Sequence, residues 1–467
     1  MRRLVLGGAL VLLVGAAPAR PPEPAERPDW GDRAVELLQG YLRIDTTNPP
    51  GNEARAVAFL EEVLRREGIP CQVDAFAPGR ANLLATLRGS GAKPPLVLVH
   101  HSDVVPADPA RWSVPPFSGA LRGGALYGRG AQDMKTEGIL HLVTLLRLER
   151  ERVALDRDVL LLATADEEDG FSGALRALTP EGFRARLEAA EYVLTEGGEN
   201  LVDEAGRVAY FGVDTAEKGP FWLTLRTAGT PGHGSQPIAD SALNRLVRAL
   251  DRIRVHRPPL RATPGVERFF RAQAARLPEP RATWYRDLSA ALRDPVAVQA
   301  LSEDREASSL LRNTVSITVV RAGYKTNVIP GSAEAELDVR LLPGEDPQGF
   351  LAELRRTIDD PSVEVVPPAS FRPPNQSPAD GELFATVEAV LGRRYPGVPV
   401  TPKMLSGATE CVLYRPLGAR CYGFTPLLTT RDELETAHGD DERVREAAVR
   451  EAAEVFYEVV RELVRRR

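Results

Sequence analysis

The segment His100-His101-Ser102-Asp103-Val104-Val105-Pro106 follows directly on the apolar run Leu96–Val99, which puts an imidazole and a carboxylate at the end of a buried strand. Imidazole is the commonest side-chain metal ligand, and a carboxylate two residues on can steer it through its other ring nitrogen. Strand alternation sends His100 to the face opposite His101. Taken alone, His-x-Asp fits a satisfied polar turn as well as it fits a metal ligand. Tyr127-Gly128-Arg129-Gly130-Ala131-Gln132-Asp133-Met134-Lys135 adds an acid in a glycine-rich loop, where it could equally complement the start of the helix that follows. Asp166-Glu167-Glu168-Asp169 crowds carboxylates after the run Val159–Ala163, a costly arrangement unless the loop is solvated or a cation sits among them. Glu196 ends the run Tyr192–Leu194, and Ala437-His438-Gly439-Asp440-Asp441-Glu442-Arg443 supplies a second imidazole far along the chain. Mixed nitrogen and oxygen ligands suit zinc, and a shared carboxylate suits a pair of ions about 3.5 Å apart.

Such residues need a sheet to hold them. The apolar runs Leu83–Leu87, Leu96–Val99 and Val159–Ala163, with a periodic helical segment from Glu137 to Leu148, give an α/β pattern with a mostly parallel central sheet. Ligand sites in open sheets of this kind gather beyond the carboxyl ends of the strands. An amphipathic helix is predicted from about Asp32 to Leu42, and Asn52 is placed to cap the next one. From Phe221–Arg226 the pattern changes to a second sheet, which resumes at Val315–Arg321 and Ala333–Leu342 after a long helical stretch over about 261–312. The expected organisation is a linker at 20–30, a catalytic domain in two parts at 31–214 and 343–467, and an inserted α+β domain at 215–342.

A chain of 467 residues exceeds one ordinary core, so two domains are expected. Its net charge of −6 offers no basic face for nucleic acid or an anionic lipid surface. Arg2 and Arg3, the apolar run Leu4–Ala16 and the small residues Ala17-Pro18-Ala19 read as a cleaved secretory signal over 1–19. That reading exports the mature protein to a periplasm or beyond the cell; retention as an uncleaved anchor is the alternative. The three cysteines, Cys71, Cys411 and Cys421, are expected as buried free thiols, with Cys411 and Cys421 the only pair close in sequence.

In this order, H-S-D-V-V-P, G-R-G-A-Q-D-M-K, D-E-E-D-G, T-E-G-G, G-T-P-G-H-G-S-Q-P, N-V-I-P with D-V-R, and A-H-G-D-D-E-R resemble one family. It is the zinc-dependent aminoacylase and carboxypeptidase family, which includes the ArgE/DapE deacylases and glutamate carboxypeptidases. The resemblance implies a zinc-exopeptidase-like catalytic domain with an inserted lid or dimerisation domain, and two zinc ions per chain. His101, Asp133 and Glu196 would hold one ion; Asp133, Glu168 and His438 would hold the other. Asp103 would orient His101, and Glu167 would be the general base that takes a proton from the attacking water and delivers it to the leaving amine. A cis peptide is expected at Asp133-Met134.

The same resemblance gives His233 the role of stabilising the oxyanion, often from a neighbouring subunit, so a homodimer through the inserted domain is expected. Asn327, Arg340 and Gly407 would contact substrate, with Arg340 gripping a terminal carboxylate; a salt bridge to a nearby acid is its other reading. His141 and His256 carry no motif and read as ordinary residues, and Ser235 lacks the elbow of a serine hydrolase. Two departures bear on specificity: Glu410 stands where relatives carry Asp, and Thr136-Glu137-Gly138 where they commonly carry Gly-Gly. The function expected is a dizinc exopeptidase cutting an amide bond beside a free carboxylate. The alternatives are an N-acyl-amino-acid deacylase and, remotely, a metal-free binding relative, which would need broken ligand positions.

Overall fold

The structure, a computed structural model, describes residues 29–203 and 205–466. The expected signal at 1–19 lies outside the described residues. No helix among the described residues is long and apolar enough to cross a membrane.

An eight-stranded sheet forms the catalytic core in the order Cys71–Ala77, Arg80–Leu87, Val159–Thr164, Leu96–His101, Tyr192–Thr195, Arg420–Gly423, Phe211–Glu217, Val400–Leu405. Its centre is parallel: Leu96–His101 pairs in parallel with Val159–Thr164 on one side and Tyr192–Thr195 on the other. These three central strands are buried along their whole length, which explains their unbroken apolar runs. Because they run the same way side by side, their carboxyl ends deliver His101, the Asp166–Asp169 loop and Glu196 to one rim of the sheet.

The helix Lys135–Arg150 is buried nearly all round because it is enclosed by the sheet and by the helices Trp30–Leu42 and Glu446–Val464. Gly138 lets it close on the Leu96–His101 strand, since a Cβ there would stand 2.5 Å from His100 Cδ2. Asn52 sits at the start of the helix Glu53–Arg66 but makes no side-chain capping hydrogen bond.

A second sheet carries Gly219–Pro220, Ser332–Leu341, Leu223–Ala228 and Glu364–Val366 in that order, with Thr314–Ala322 also paired to Ser332–Leu341. The expected boundary at 342 is therefore too early. Glu364–Val366 pairs with Thr224–Arg226, and the helix Pro347–Ile358 buries Phe350, Leu351 and Leu354 against this sheet, so the insertion continues at least to Val366. The helical stretch over 261–312 is five short helices, two of them opened by Pro264 and Pro295. Their buried side chains, Phe269 and Phe270 among them, pack with Tyr210, Ala216 and Met404 of the catalytic sheet's flank, apart from the core of the second sheet.

The cysteines also differ from expectation. Cys411 and Cys421 form a disulfide, and only Cys71 is a free thiol. The bridge joins the start of the short helix Cys411–Tyr414 to the strand Arg420–Gly423, whose Cα atoms stand 5.4 Å apart.

Candidate metal centre

Asp133 is the meeting point. Its Oδ1 lies 3.0 Å from His101 Nε2 and its Oδ2 lies 3.0 Å from His438 Nε2, so one carboxylate faces both imidazoles. Glu196 Oε2 stands 3.9 Å from His101 Nε2, and Glu168 Oε1 stands 3.3 Å from His438 Nε2. The five expected ligands thus fall into two overlapping sets about Asp133. His101, Glu167 and Glu196 converge closely enough to share an ion, and so do His101, Asp133 and Glu168. The bond Asp133-Met134 is cis.

Electrostatics mark this place as built for positive charge. Burial first, and then the charges of Asp133 and its acidic neighbours, push the carboxyl of Glu196 well above its usual range. Burial does the same to Glu167. Burial opposes ionisation of Asp133 too, but hydrogen bonds from both histidines hold it well below the ordinary carboxylate range. His438 is raised to about 10 first by its hydrogen bond to Asp133 and then by the carboxylate of Glu168 beside it. Glu168 Oε1 is buried with no hydrogen-bond partner. Crowded acids, imidazole nitrogens aimed at them and an orphaned carboxylate oxygen are a donor set that fits divalent cations.

Each donor is held by something specific. Asp103 is fully buried, yet its carboxylate does less for His101 than expected. His101 Nδ1 is 3.1 Å from the backbone carbonyl of Asp103 and 3.6 Å from its Oδ1. The carboxylate instead accepts the backbone N–H groups of Glu167 (3.0 Å) and Glu168 (3.1 Å) and the amide of Asn48 (2.9 Å). Asp103 therefore fixes the acidic loop as well as the imidazole.

Glu196 leaves its strand through Gly197, whose φ of +120° excludes most side chains. Thr425 donates its N–H to Gly197 O at 2.9 Å and its hydroxyl to Glu137. The unusual Glu137 thus braces the Glu196 turn. Glu410, the other departure, is buried and accepts from Thr164 Oγ1 at 2.7 Å, and burial raises its carboxyl to about 7.

Sequence reasoning passed over Glu442. It is fully buried, and its Oε2 accepts from Arg129 Nη1 (2.7 Å) and Gly130 N–H (3.0 Å), while its Oε1 accepts from the N–H groups of Gln132 (2.7 Å) and Asp133 (3.1 Å). Arg129 Nη2 in turn donates to Gly439 O at 2.9 Å, next to His438, whose φ of +59° is a left-handed outlier. The glycine-rich loop and the His438 loop are locked together through this pair. The only signal in the sequence was an acid four residues after His438.

Three of the expected substrate contacts have hydrogen-bond partners outside the ligand set. His233 is exposed and hydrogen-bonds Ser235. Asn327 is exposed and accepts the N–H of Gly234 through its carbonyl at 2.9 Å. Arg340 is paired with Asp338 through Nε at 2.8 Å and Nη2 at 3.2 Å, the salt bridge that was its other reading. Gly407 lies in the turn after Val400–Leu405, half-buried.

Residues 97–462 match the family model described as Peptidase family M20/M25/M40. The chain belongs to that family. Membership makes it a metal-dependent hydrolase of amide bonds. It is similar to the N-fatty-acyl-amino acid synthase/hydrolase PM20D1 of Xenopus tropicalis, 28% identical over 91% of this chain and 85% of the relative. It is also similar to Aminoacylase-1 of Homo sapiens, 27% identical over 92% of this chain and 95% of the relative. Among solved structures, an M20 family metallo-carboxypeptidase, Sso-CP2 from Sulfolobus solfataricus, shares the fold with a TM-score of 0.68 at 20% identity, covering 92% of this chain and 99% of that one.

Proposed function

We propose that this M20/M25/M40 member holds two zinc ions, His101, Asp133 and Glu196 around one and Asp133, Glu168 and His438 around the other, and hydrolyses an amide bond beside a free carboxylate. The observation that carries the proposal is Asp133 presenting one oxygen to each histidine, with Glu196 and Glu168 flanking the two sides. When bound, such ions supply charge that brings the pKa of water toward ~7 and polarises a carbonyl.

Glu167 serves as the base: its backbone is fixed by Asp103, and burial holds its carboxyl well above the ordinary carboxylate range. It takes a proton from the attacking water and returns it to the departing nitrogen. His233 would reach the oxyanion from a second copy of the chain, and the inserted domain would form the dimer. Arg340 would have to exchange Asp338 for a substrate carboxylate, a swap that Asn327 and Gly407 would accompany.

An exopeptidase and an N-acyl-amino-acid deacylase share this chemistry. The names of the two relatives covering nine-tenths of the chain favour an N-acyl amino acid as substrate. Dipeptides and N-acyl amino acids assayed side by side with mass detection distinguish the two. Chelation should abolish hydrolysis and Zn²⁺ should restore it; turnover indifferent to chelator would refute the metal reading. Glu167→Gln should reduce kcat by ~10²-fold or more, as loss of a general base does, with both ions retained by elemental analysis. Substantial residual turnover would remove Glu167 as the base.

Export is supported by Arg2, Arg3 and the apolar run after them, and by the Cys411–Cys421 bridge, since disulfides persist in oxidising compartments. The intact mass of protein purified from its natural cell tests it, a full-length chain counting against cleavage.

A further inference from the structure

The second sheet has two unlike faces. Along Ser332–Leu341, Leu337, Val339 and Leu341 are buried toward the helices Ala242–Val255 and Pro347–Ile358, while Asp338 and Arg340 alternate to the opposite side. On the helix-covered side lies a cavity of about 210 Å³, bounded by Ile253, Phe350 and Leu354 of that core and by the chain around Ser308–Ser316. It is smaller than the ~300 Å³ at which pockets for drug-sized organic ligands begin, and has room for a small ion with a few waters.

Its walls are cationic. Arg254, His256, Arg257 and Arg312 line it, against a single acid, Glu353. Glu353 Oε1 is already engaged by His256 Nε2 at 3.1 Å, and Arg254 is paired with Asp251 at 2.7 Å. The other two arginines have no carboxylate partner among the described residues. Arg257 Nη1 donates to the backbone carbonyls of Arg254 (2.7 Å) and His256 (3.1 Å). Arg312 is 4% exposed and gives Nη2 to the Ser302 hydroxyl, while its Nε and Nη1 are buried without any partner. Burial first, and then the charge of nearby Arg257, lowers the proton affinity of Arg312. A buried guanidinium with unused N–H groups and a like charge beside it is costly unless an acceptor completes it.

We propose that this cavity is a binding site for a small tetrahedral oxyanion of the phosphate or sulfate class, taken by Arg312 from within and Arg257 from the rim. A guanidinium matches paired oxygens of such an ion with parallel N–H donors, and Ser308 lines the same cavity. The site is separate from the metal centre and lies across the sheet from Arg340.

Sodium sulfate and inorganic phosphate are titrated at constant ionic strength against the full chain while its melting temperature is followed. The variants are Arg257→Ala, which removes an exposed side chain and leaves the core intact, and His438→Ala, which disables one metal position. The expected result is a saturable rise in the wild type and in His438→Ala. Arg257→Ala should need about tenfold more anion for half the rise, as loss of a charged hydrogen-bond donor predicts, with hydrolysis unchanged. No rise in the wild type, an equal response in Arg257→Ala, or a response lost in His438→Ala would overturn the proposal.

Discussion

At the scale of single residues, the centre depends on side chains that touch no substrate. Glu442 gathers three backbone N–H groups and a guanidinium around two oxygens, and the last of those N–H groups belongs to Asp133 itself. Replacing it by Gln keeps the shape but gives one oxygen to an amide that can only donate, and leaves Arg129, 3% exposed at its side chain, without a counter-charge. Breaking a buried pair in this way costs about 3–5 kcal/mol, and loosening the support behind metal ligands lowers affinity about 10–100-fold. Glu442→Gln should therefore show both a lower urea midpoint and weaker Zn²⁺ binding in competition with a chelator; unaltered metal affinity would mean that the loop holds Asp133 without it. The residues that meet at Asp133 could be named from the sequence because their short motifs fall in one order along the chain, although each motif alone fitted a plainer reading. Glu442 was not, since a buried acid and a solvated one look the same until the fold shows what surrounds them.

At the scale of elements, three parallel strands and one enclosed helix do the positioning. The helix Lys135–Arg150 can approach Leu96–His101 only where no side chain intervenes, and an added Cβ at Gly138 would meet His100 Cδ2 at 2.5 Å and Nε2 at 2.8 Å. The His100 ring is fully buried between Tyr41 and His141 and has nowhere to move. Gly138→Ala is expected to cost about 1–3 kcal/mol in denaturant unfolding, the usual range for overpacking, and to lower kcat because His101 is the next residue on the strand. A variant as stable and active as the wild type would show that the helix can shift. The Cys411–Cys421 bridge closes a loop of sequence separation 10, for which chain entropy predicts about 2–3 kcal/mol. Reductant should lower the unfolding midpoint of the wild type and leave that of Cys421→Ala unmoved. Strand alternation placed His100 and His101 on opposite faces from the sequence alone. The end of the insertion was not legible, because Glu364–Val366 is three residues long and is a strand only by virtue of pairing with Thr224–Arg226. The cysteine pairing was hidden for a similar reason: the turn that brings the two residues together has no separate signature.

At the scale of the whole molecule, the chain encloses polar groups in the layer between sheet and helices, and that ties its stability to pH. His141 lies fully buried against Phe456, with Glu137 Oε1 3.3 Å from its Nε2, and burial lowers its pKa to about 3. In the unfolded chain a histidine titrates near ~6.5. Above that value the group is neutral in both states and makes no difference. As pH falls below it, the unfolded chain takes up a proton that the folded chain refuses until about pH 3, so stability is lost across that window. The loss has the slope of one proton, roughly 1.4 kcal/mol per pH unit. His100 contributes to the same acid limb in the same direction, because burial lowers its pKa as well, and carboxylates titrate over the same range. The difference between two proteins isolates the single site. His141→Gln keeps a polar group beside Glu137 and removes the titration, so its unfolding free energy should fall less steeply than that of the wild type between about pH 6 and pH 4, by one proton's slope. Urea midpoints at half-unit intervals of pH, at fixed metal concentration, measure it. Parallel limbs for the two proteins would mean that His141 is protonated within the folded core, and that its contact with Glu137 is an ion pair.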